Sequence, residues 1–136
     1  MQRFTLDVQT NGNTDIVNLN PLLAPRLREV REEALLSLFI PGSTAALTTI
    51  EFEPGLVKHD LPALFQRLIP DDARYEHEAT WNDDNGHSHA RAALIGPSLV
   101  IPVSKGRMLT GEYQQVVLID FDTRPRRRTV IATLTT

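Results

Sequence analysis

A strand that is apolar on both faces has to be covered twice, and a chain of 136 residues has little material to do it with. Met108–Phe121 contains such a run, because Val116, Val117, Leu118 and Ile119 follow one another directly. Successive strand residues point to opposite faces, and continuous apolar strands occur where both faces are packed. The run therefore demands cover on each side, from the chain itself or from another subunit. Gln114 and Gln115 at its start place one amide on an inward face, where it needs hydrogen-bond partners.

The remaining elements follow from periodicity and punctuation. Phe4, Leu6 and Val8 alternate with Thr5, Asp7 and Gln9, the period of a half-buried strand. Asn11-Gly12 is a turn signal because both residues tolerate positive φ, and Thr14–Leu19 reads as the returning strand. Asn20 suits a helix N-cap and Pro21 the first helical position. Leu23, Leu27, Val30 and Ala34 share one face of that helix, which is expected to end near Ala34. Leu35–Ile40 reads as a buried strand broken by Pro41-Gly42, and Ser43–Phe52 as the next strand. Pro54-Gly55 opens a second helix with Leu56, Leu61, Leu64, Phe65 and Leu68 facing inward. Ser98–Val103, Met108–Phe121 and Thr129–Leu134 complete the strands, with a turn at Thr123–Arg126. This order predicts one α+β domain over residues 1–136, a compact and mostly antiparallel sheet or sandwich with two or three helices.

Several function classes drop out. The chain has no cysteine, which removes disulfides, thiol nucleophiles and thiolate metal sites together. Its formal charge of −3 gives no general basic field for nucleic acid. The cluster Arg124, Arg126, Arg127 and Arg128 reads first as a solvated turn, without the aromatic residues on which bases stack; a local anion contact to a phosphorylated ligand is the alternative. No apolar run approaches the ~20 residues of a membrane helix, and MQRFTLDVQT lacks the apolar core of a signal peptide. The expectation is a soluble cytoplasmic protein with no nucleic-acid or membrane partner.

Trp81–Leu94 (WNDDNGHSHARAAL) concentrates the groups capable of chemistry. Asp83, Asp84, Asn85, His87 and His89 are metal-donor types, and imidazole with carboxylate suits Zn²⁺ or Mn²⁺ where all-oxygen sites suit Mg²⁺. His-x-His shares a face only in an extended segment. If a helix starts at Gly86, the two rings point apart and one of them reaches a given ion. The plainer reading has Asp83 or Asn85 capping such a helix. The N–H groups of Asn85 and Gly86 at that helix start would suit a phosphate, and Arg91, one turn after His87, could close on it. A surface salt bridge is the plainer role for Arg91. Glu51, in the strand TTIEF, is either solvent-facing or aimed into a cleft.

With those residues in view, the chain resembles the YjbQ-like family, which is associated with a secondary thiamine-phosphate synthase activity. The resemblance is carried by Pro41–Glu51 (PGSTAALTTIE), Tyr75-Glu76-His77, Trp81–Arg91, Gly96–Pro102 (GPSLVIP), Gly106–Gln115 (GRMLTGEYQQ) and Asp120–Arg128 (DFDTRPRRR). It implies a compact α+β subunit, a homotrimer and a divalent metal (Zn, Mn or Mg) near the histidine motif. Glu51, Asp84, Asn85 and His89 match core site positions, while Asp83 and His87 match one branch of the family. On this basis Glu51, Asp84 and His89 are the expected catalytic residues. Glu51, Asp83, His87 and His89 are the expected metal donors. Asn85, Gly86, Arg91 and Arg126 are expected to hold phosphate of a small phosphorylated metabolite. The implied reaction condenses a pyrimidine diphosphate with a thiazole phosphate. A metal-assisted phosphate hydrolase and a trimeric metal- or metabolite-binding protein without turnover are the alternatives. Two positions depart from the family pattern: Gly42 stands where many members have histidine, and Tyr113 where many have tryptophan.

Overall fold

The computed structural model describes residues 1–136. Its strands are β1 (Gln2–Thr10), β2 (Asp15–Asn18), β3 (Ala34–Phe39), β4 (Ala45–Glu51), β5 (Ser98–Ser104), β6 (Arg107–Met108), β7 (Gln114–Asp120) and β8 (Arg126–Thr135). Its helices are α1 (Asn20–Leu27), α2 (Leu61–Leu68), α3 (Glu76–Trp81) and α4 (Gly86–Ile95), with a π-helical turn over Leu56–Asp60 leading into α2. One sheet has the order β1-β8-β3-β5-β6 and the other β2-β7-β4, with every pairing antiparallel. The α+β expectation holds, but there are four helices where two or three were expected.

The apolar run is covered twice, and the chain supplies both covers. Val116 and Leu118 of β7 face the five-stranded sheet, in one core with Phe4, Leu6, Leu36, Leu38, Val130 and Ala132. Leu19, Leu23 and Leu27 carry α1 into that core. Val117 and Ile119 face the other way, against Phe65 of α2 and Ala92 of α4. Phe65 meets Phe121 edge-on at 4.8 Å, the favoured arrangement for aromatic rings. The double-sided pattern of β7 thus carries no argument for a second subunit. No helix is long and apolar enough to cross a membrane.

Three boundaries differ from the sequence reading. Met108–Phe121 is not one strand: the chain leaves the larger sheet after β6, turns, and enters the smaller sheet as β7. Gln114 stabilises that passage by accepting from the Gly111 N–H and donating to Thr49 Oγ1. Helix α1 ends at Leu27, well short of Ala34. Asn20 is its first residue and not its cap, because the Asn20 amide oxygen accepts the β7 N–H of Val116 at 2.9 Å. Finally, Arg126–Arg128 are not a solvated turn. They begin β8, paired with Thr10, Gln9 and Val8 of β1.

Phe65 is the main apolar anchor of the helical layer. Phe65→Ala is expected to lower the unfolding free energy by about 3–5 kcal/mol, the range for a buried phenylalanine. Urea denaturation measures it, and a loss below ~1 kcal/mol would mean that the helices are not part of the cooperative core.

Candidate functional site

Two carboxylates at the end of β7 organise one end of the sandwich. Asp120 and Asp122 have almost no contact with water. Asp120 accepts from Arg128 Nε at 2.7 Å and Nη2 at 2.9 Å, from Thr10 Oγ1 at 2.6 Å and from the Asp122 N–H at 3.0 Å. Asp122 accepts from Arg126 Nε at 2.9 Å, Thr44 Oγ1 at 3.1 Å, Asn85 Nδ2 at 3.3 Å and the Thr123 N–H at 2.8 Å. Burial alone would raise both carboxyls. For Asp120 the bonds from Arg128, Thr10 and the Asp122 N–H outweigh it and hold the group below the usual carboxylate range. For Asp122 the bonds from Thr123, Arg126, Asn85 and Thr44 bring it down to about 2.

The histidines are built onto this frame. Because Asn85 gives its NH₂ to Asp122, its amide oxygen is turned to His77 Nε2 at 3.1 Å. Asp83 Oδ2 lies at the same distance from that nitrogen. Both partners are acceptors, so Nε2 carries the proton. The fixed His77 ring packs against His89, with centroids 4.3 Å apart and the ring planes tilted by 50°. His89 in turn lines a cleft of about 390 Å³ together with Gly42, Ser43, Ala45, Ala92, Ala93, Gly96 and Pro97. That volume is within the range of small-molecule sites.

The predicted residues divide between this end of the molecule and elsewhere. His89, Asp83, Asn85 and Arg126 belong to the cluster, and Asp84 borders it through Thr123 Oγ1 at 2.9 Å. Glu51 does not. It sits at the opposite end of β4, six residues from Ala45, which is ~20 Å along a strand. There it is exposed beside Gly111–Gln114. His87 is buried on the inner face of α4, its Nδ1 without a partner. Burial, reinforced by the Arg91 charge, pushes its imidazole below the usual value.

Arg91 lies on that same inner face. Its guanidinium is committed to the Ile69 carbonyl, Thr14 Oγ1 and Gln66 Oε1, so it reaches no external phosphate. At the N-terminus of α4 the Gly86 N–H is also engaged, since it donates to Glu78 Oε1 at 3.3 Å. Gly86 serves packing: a Cβ there would stand 2.5 Å from Tyr75 Cβ and 2.7 Å from Glu78 Oε2. Asn85 does not cap the helix with its side chain.

The expected metal set, Glu51, Asp83, His87 and His89, therefore does not fit a metal. Its members point to three different places, and no three histidine or acidic side chains converge to hold an ion. His77 and Thr44 are the site residues that sequence reasoning missed, while Arg128 was read first as part of a solvated turn, with a local anion contact as the alternative. The available signal was Arg126-x-Arg128, whose alternation sets both guanidiniums on one face of β8, following Asp120-x-Asp122 at the end of β7.

Fold and site define an α+β antiparallel sandwich with a cleft flanked by a histidine pair and an arginine–carboxylate frame. The chain belongs to the family described as UPF0047 protein YjbQ-like, whose profile matches residues 4–136. It is 39% identical over 100 residues to the UPF0047 protein YjbQ of Escherichia coli O157:H7, covering 74% of this chain and 72% of that one. It is 36% identical over 130 residues to a UPF0047 protein of Mycobacterium tuberculosis, covering 96% and 95% of the two chains. The crystal structure of a hypothetical protein from Aeropyrum pernix K1 superposes with a TM-score of 0.89 at 28% identity, covering 99% and 98%. The family description names no activity, so the chemistry has to come from the site itself.

The frame has a pH signature. The Asp122 carboxyl lies at about 2 in the folded chain, below its ordinary 3.8. A depressed carboxyl stabilises the fold above its unfolded value, and that stability is lost as pH falls through the folded value. Its contribution at neutral pH is about 2 kcal/mol, and Asp120 acts in the same direction. Unfolding free energy is expected to fall between about pH 4 and 2, and Asp122→Asn to flatten that drop. An equally steep drop in the variant would place the acid sensitivity in other carboxyls.

Proposed function

We propose that the chain is an enzyme acting on a small phosphorylated metabolite bound in the His89 cleft. The observation that carries this reading is the oriented histidine pair. His77 is held through Nε2 by Asp83 and Asn85, and its ring backs the ring of His89, which borders the cleft. A histidine at a cleft wall, restrained from behind, is placed for general acid–base work at neutral pH. His89 would protonate a departing phosphate or diphosphate oxygen, or take a proton from an attacking group. His77 is a positioning residue, since its Nε2 is already committed. Arg126 supplies positive charge at the rim, with its side chain 37% exposed.

The finer reading is the condensation of a pyrimidine diphosphate with a thiazole phosphate, in which diphosphate departs as the ring nitrogen attacks. Hydrolysis of a single phosphorylated metabolite is the second reading. It is favoured by the openness of the cleft to water and by a volume suited to one heterocyclic phosphate. Turnover with pyrimidine diphosphate alone, and then with both partners, separates them. In whichever reaction proceeds, His89→Ala is expected to lower kcat by roughly 10²–10⁴-fold. His77→Ala is expected to lower kcat less and to shift the pH profile. Tight binding without turnover would make the chain a binding protein, and equal turnover in wild type and His89→Ala would remove the site from the chemistry.

We also infer a homotrimer, on a different ground from the β7 run. The outer face of the larger sheet leaves Leu35, Phe39 and Val100 roughly half exposed or more, with Pro102 and Ile131 as their cross-strand neighbours. An uncovered apolar face of this kind favours a subunit contact. Light scattering is expected to give three times the 15.2 kDa chain mass, with Val100→Asp dissociating the particle. A wild-type monomer would sink the inference.

A further inference from the structure

Arg128 turns one guanidinium edge towards Gly42, apart from the histidine pair. The Arg128 side chain is held from two sides and left open on a third. Nε and Nη2 are fixed on Asp120, and Nη2 also donates to Thr44 Oγ1 at 2.7 Å. Nη1 makes no hydrogen bond within the chain and is not among the buried unpartnered atoms, so it is open to solvent. It faces Gly42: a Cβ on that residue would lie 3.1 Å from Nη1, and nothing else stands within 4 Å. Gly42 has φ +116°, a conformation that side-chain-bearing residues rarely adopt. The gap is thus built into the backbone, and it adjoins the cleft because Gly42 and Ser43 line it together with His89.

The charges around the gap are arranged in layers. The carboxylates of Asp120 and Asp122 lie inside, with their oxygens already accepting several bonds each. The guanidinium edges of Arg128 and Arg126 lie outside them, and Arg126 Nη1 likewise has no partner in the chain. A ligand entering past Gly42 meets N–H donors and not carboxylate oxygens. A guanidinium whose other nitrogens are held in place loses little freedom on binding, which suits phosphoryl oxygens.

We propose that Arg128 Nη1 is the anchor for a phosphoryl group of the ligand, and that the absence of a side chain at Gly42 is what admits that group. This rests on the reading of the cleft as a phosphorylated-metabolite site and deepens it by assigning the phosphate end. The ligand class is a phosphate or diphosphate monoester whose terminal oxygens reach the Gly42 gap while the organic part lies along α4 towards His89. Residue 42 is then a specificity-determining position.

The test uses inorganic pyrophosphate as probe, measured by isothermal titration calorimetry on the full chain. Gly42→Asp places a carboxylate beside Nη1, and Gly42→Asn places a neutral group of the same shape under the same backbone strain. Thermal melts of the two variants check that they are equally folded. Wild type is expected to bind, Gly42→Asp to bind at least ~10-fold more weakly than Gly42→Asn, and that difference to shrink with added salt. If wild type binds pyrophosphate and the Asp and Asn variants do not differ, the Arg128 assignment is wrong while the phosphate reading of the cleft survives. If wild type binds neither pyrophosphate nor phosphate, both fall.

Discussion

Two ionised carboxylates are buried at the end of β7, and that end of the molecule is arranged to satisfy them. An unpaired buried charge is costly, and removing one partner of a buried pair typically costs several kcal/mol. Asp120 and Asp122 draw their donors from β1 (Thr10), the loop before β4 (Thr44), the segment before α4 (Asn85) and β8 (Arg126 and Arg128). Those elements lie in both sheets and the helical layer. The apolar core holds the layers together without specifying the geometry of their ends. The carboxylates add the direction that hydrophobic packing lacks. The same bonds set the Asn85 amide, which sets His77, which backs His89, so the orientation of the cleft histidine traces to a charge pair buried behind it.

Much of the sandwich was legible because its strands keep simple periods. The β1 alternation, the punctuation at Pro41-Gly42 and the double-sided run of β7 all appear in the structure where the residues place them. What failed was the identity of the cover on β7. A sequence pattern states that a face is buried but not by what, and here α2 and α4 return to cover it. The break between β6 and β7 was hidden for a similar reason. Leu109–Tyr113 has ordinary strand composition, and only the Gly111 turn with the Gln114 bonds reveals the change of sheet.

The site was half legible, and its errors are geometric. Arg91 was placed one turn after His87, which is correct for a helix starting at Gly86. Residues four apart share a face, and that face turned out to be the buried one, so both left the site together. Glu51 was joined to the histidines by type, although six strand residues separate it from the end that reaches them. His77 went unread because its partners, Asp83 and Asn85, lie on another element across the bend at Asn82, whose φ of 55° turns the chain back. Linear spacing does not carry that reversal. Arg126 was singled out for phosphate, but its neighbours were read first as a solvated turn, although Arg126 and Arg128 alternate with Arg127 as strand neighbours must.

That alternation explains how a chain with a net charge of −3 can turn guanidinium N–H groups outward at this end of the sandwich. Net charge governs the distant field, which salt screens beyond about 8–10 Å. At contact distance the order of the layers matters more than the sum. Asp120 and Asp122 balance Arg126 and Arg128 in number, yet the carboxylate oxygens are turned inward and engaged, while guanidinium N–H groups remain at the surface. At Gly42 the Arg128 Nη1 edge therefore lies in front of the acids that hold it, in a cluster whose charges balance. A side chain at position 42 would need a different backbone, because φ +116° and the 3.1 Å approach of Arg128 leave it no relaxed place. Glycine at that position thus keeps the Arg128 Nη1 edge uncovered, while Asp120 and Thr44 hold the rest of the guanidinium behind it.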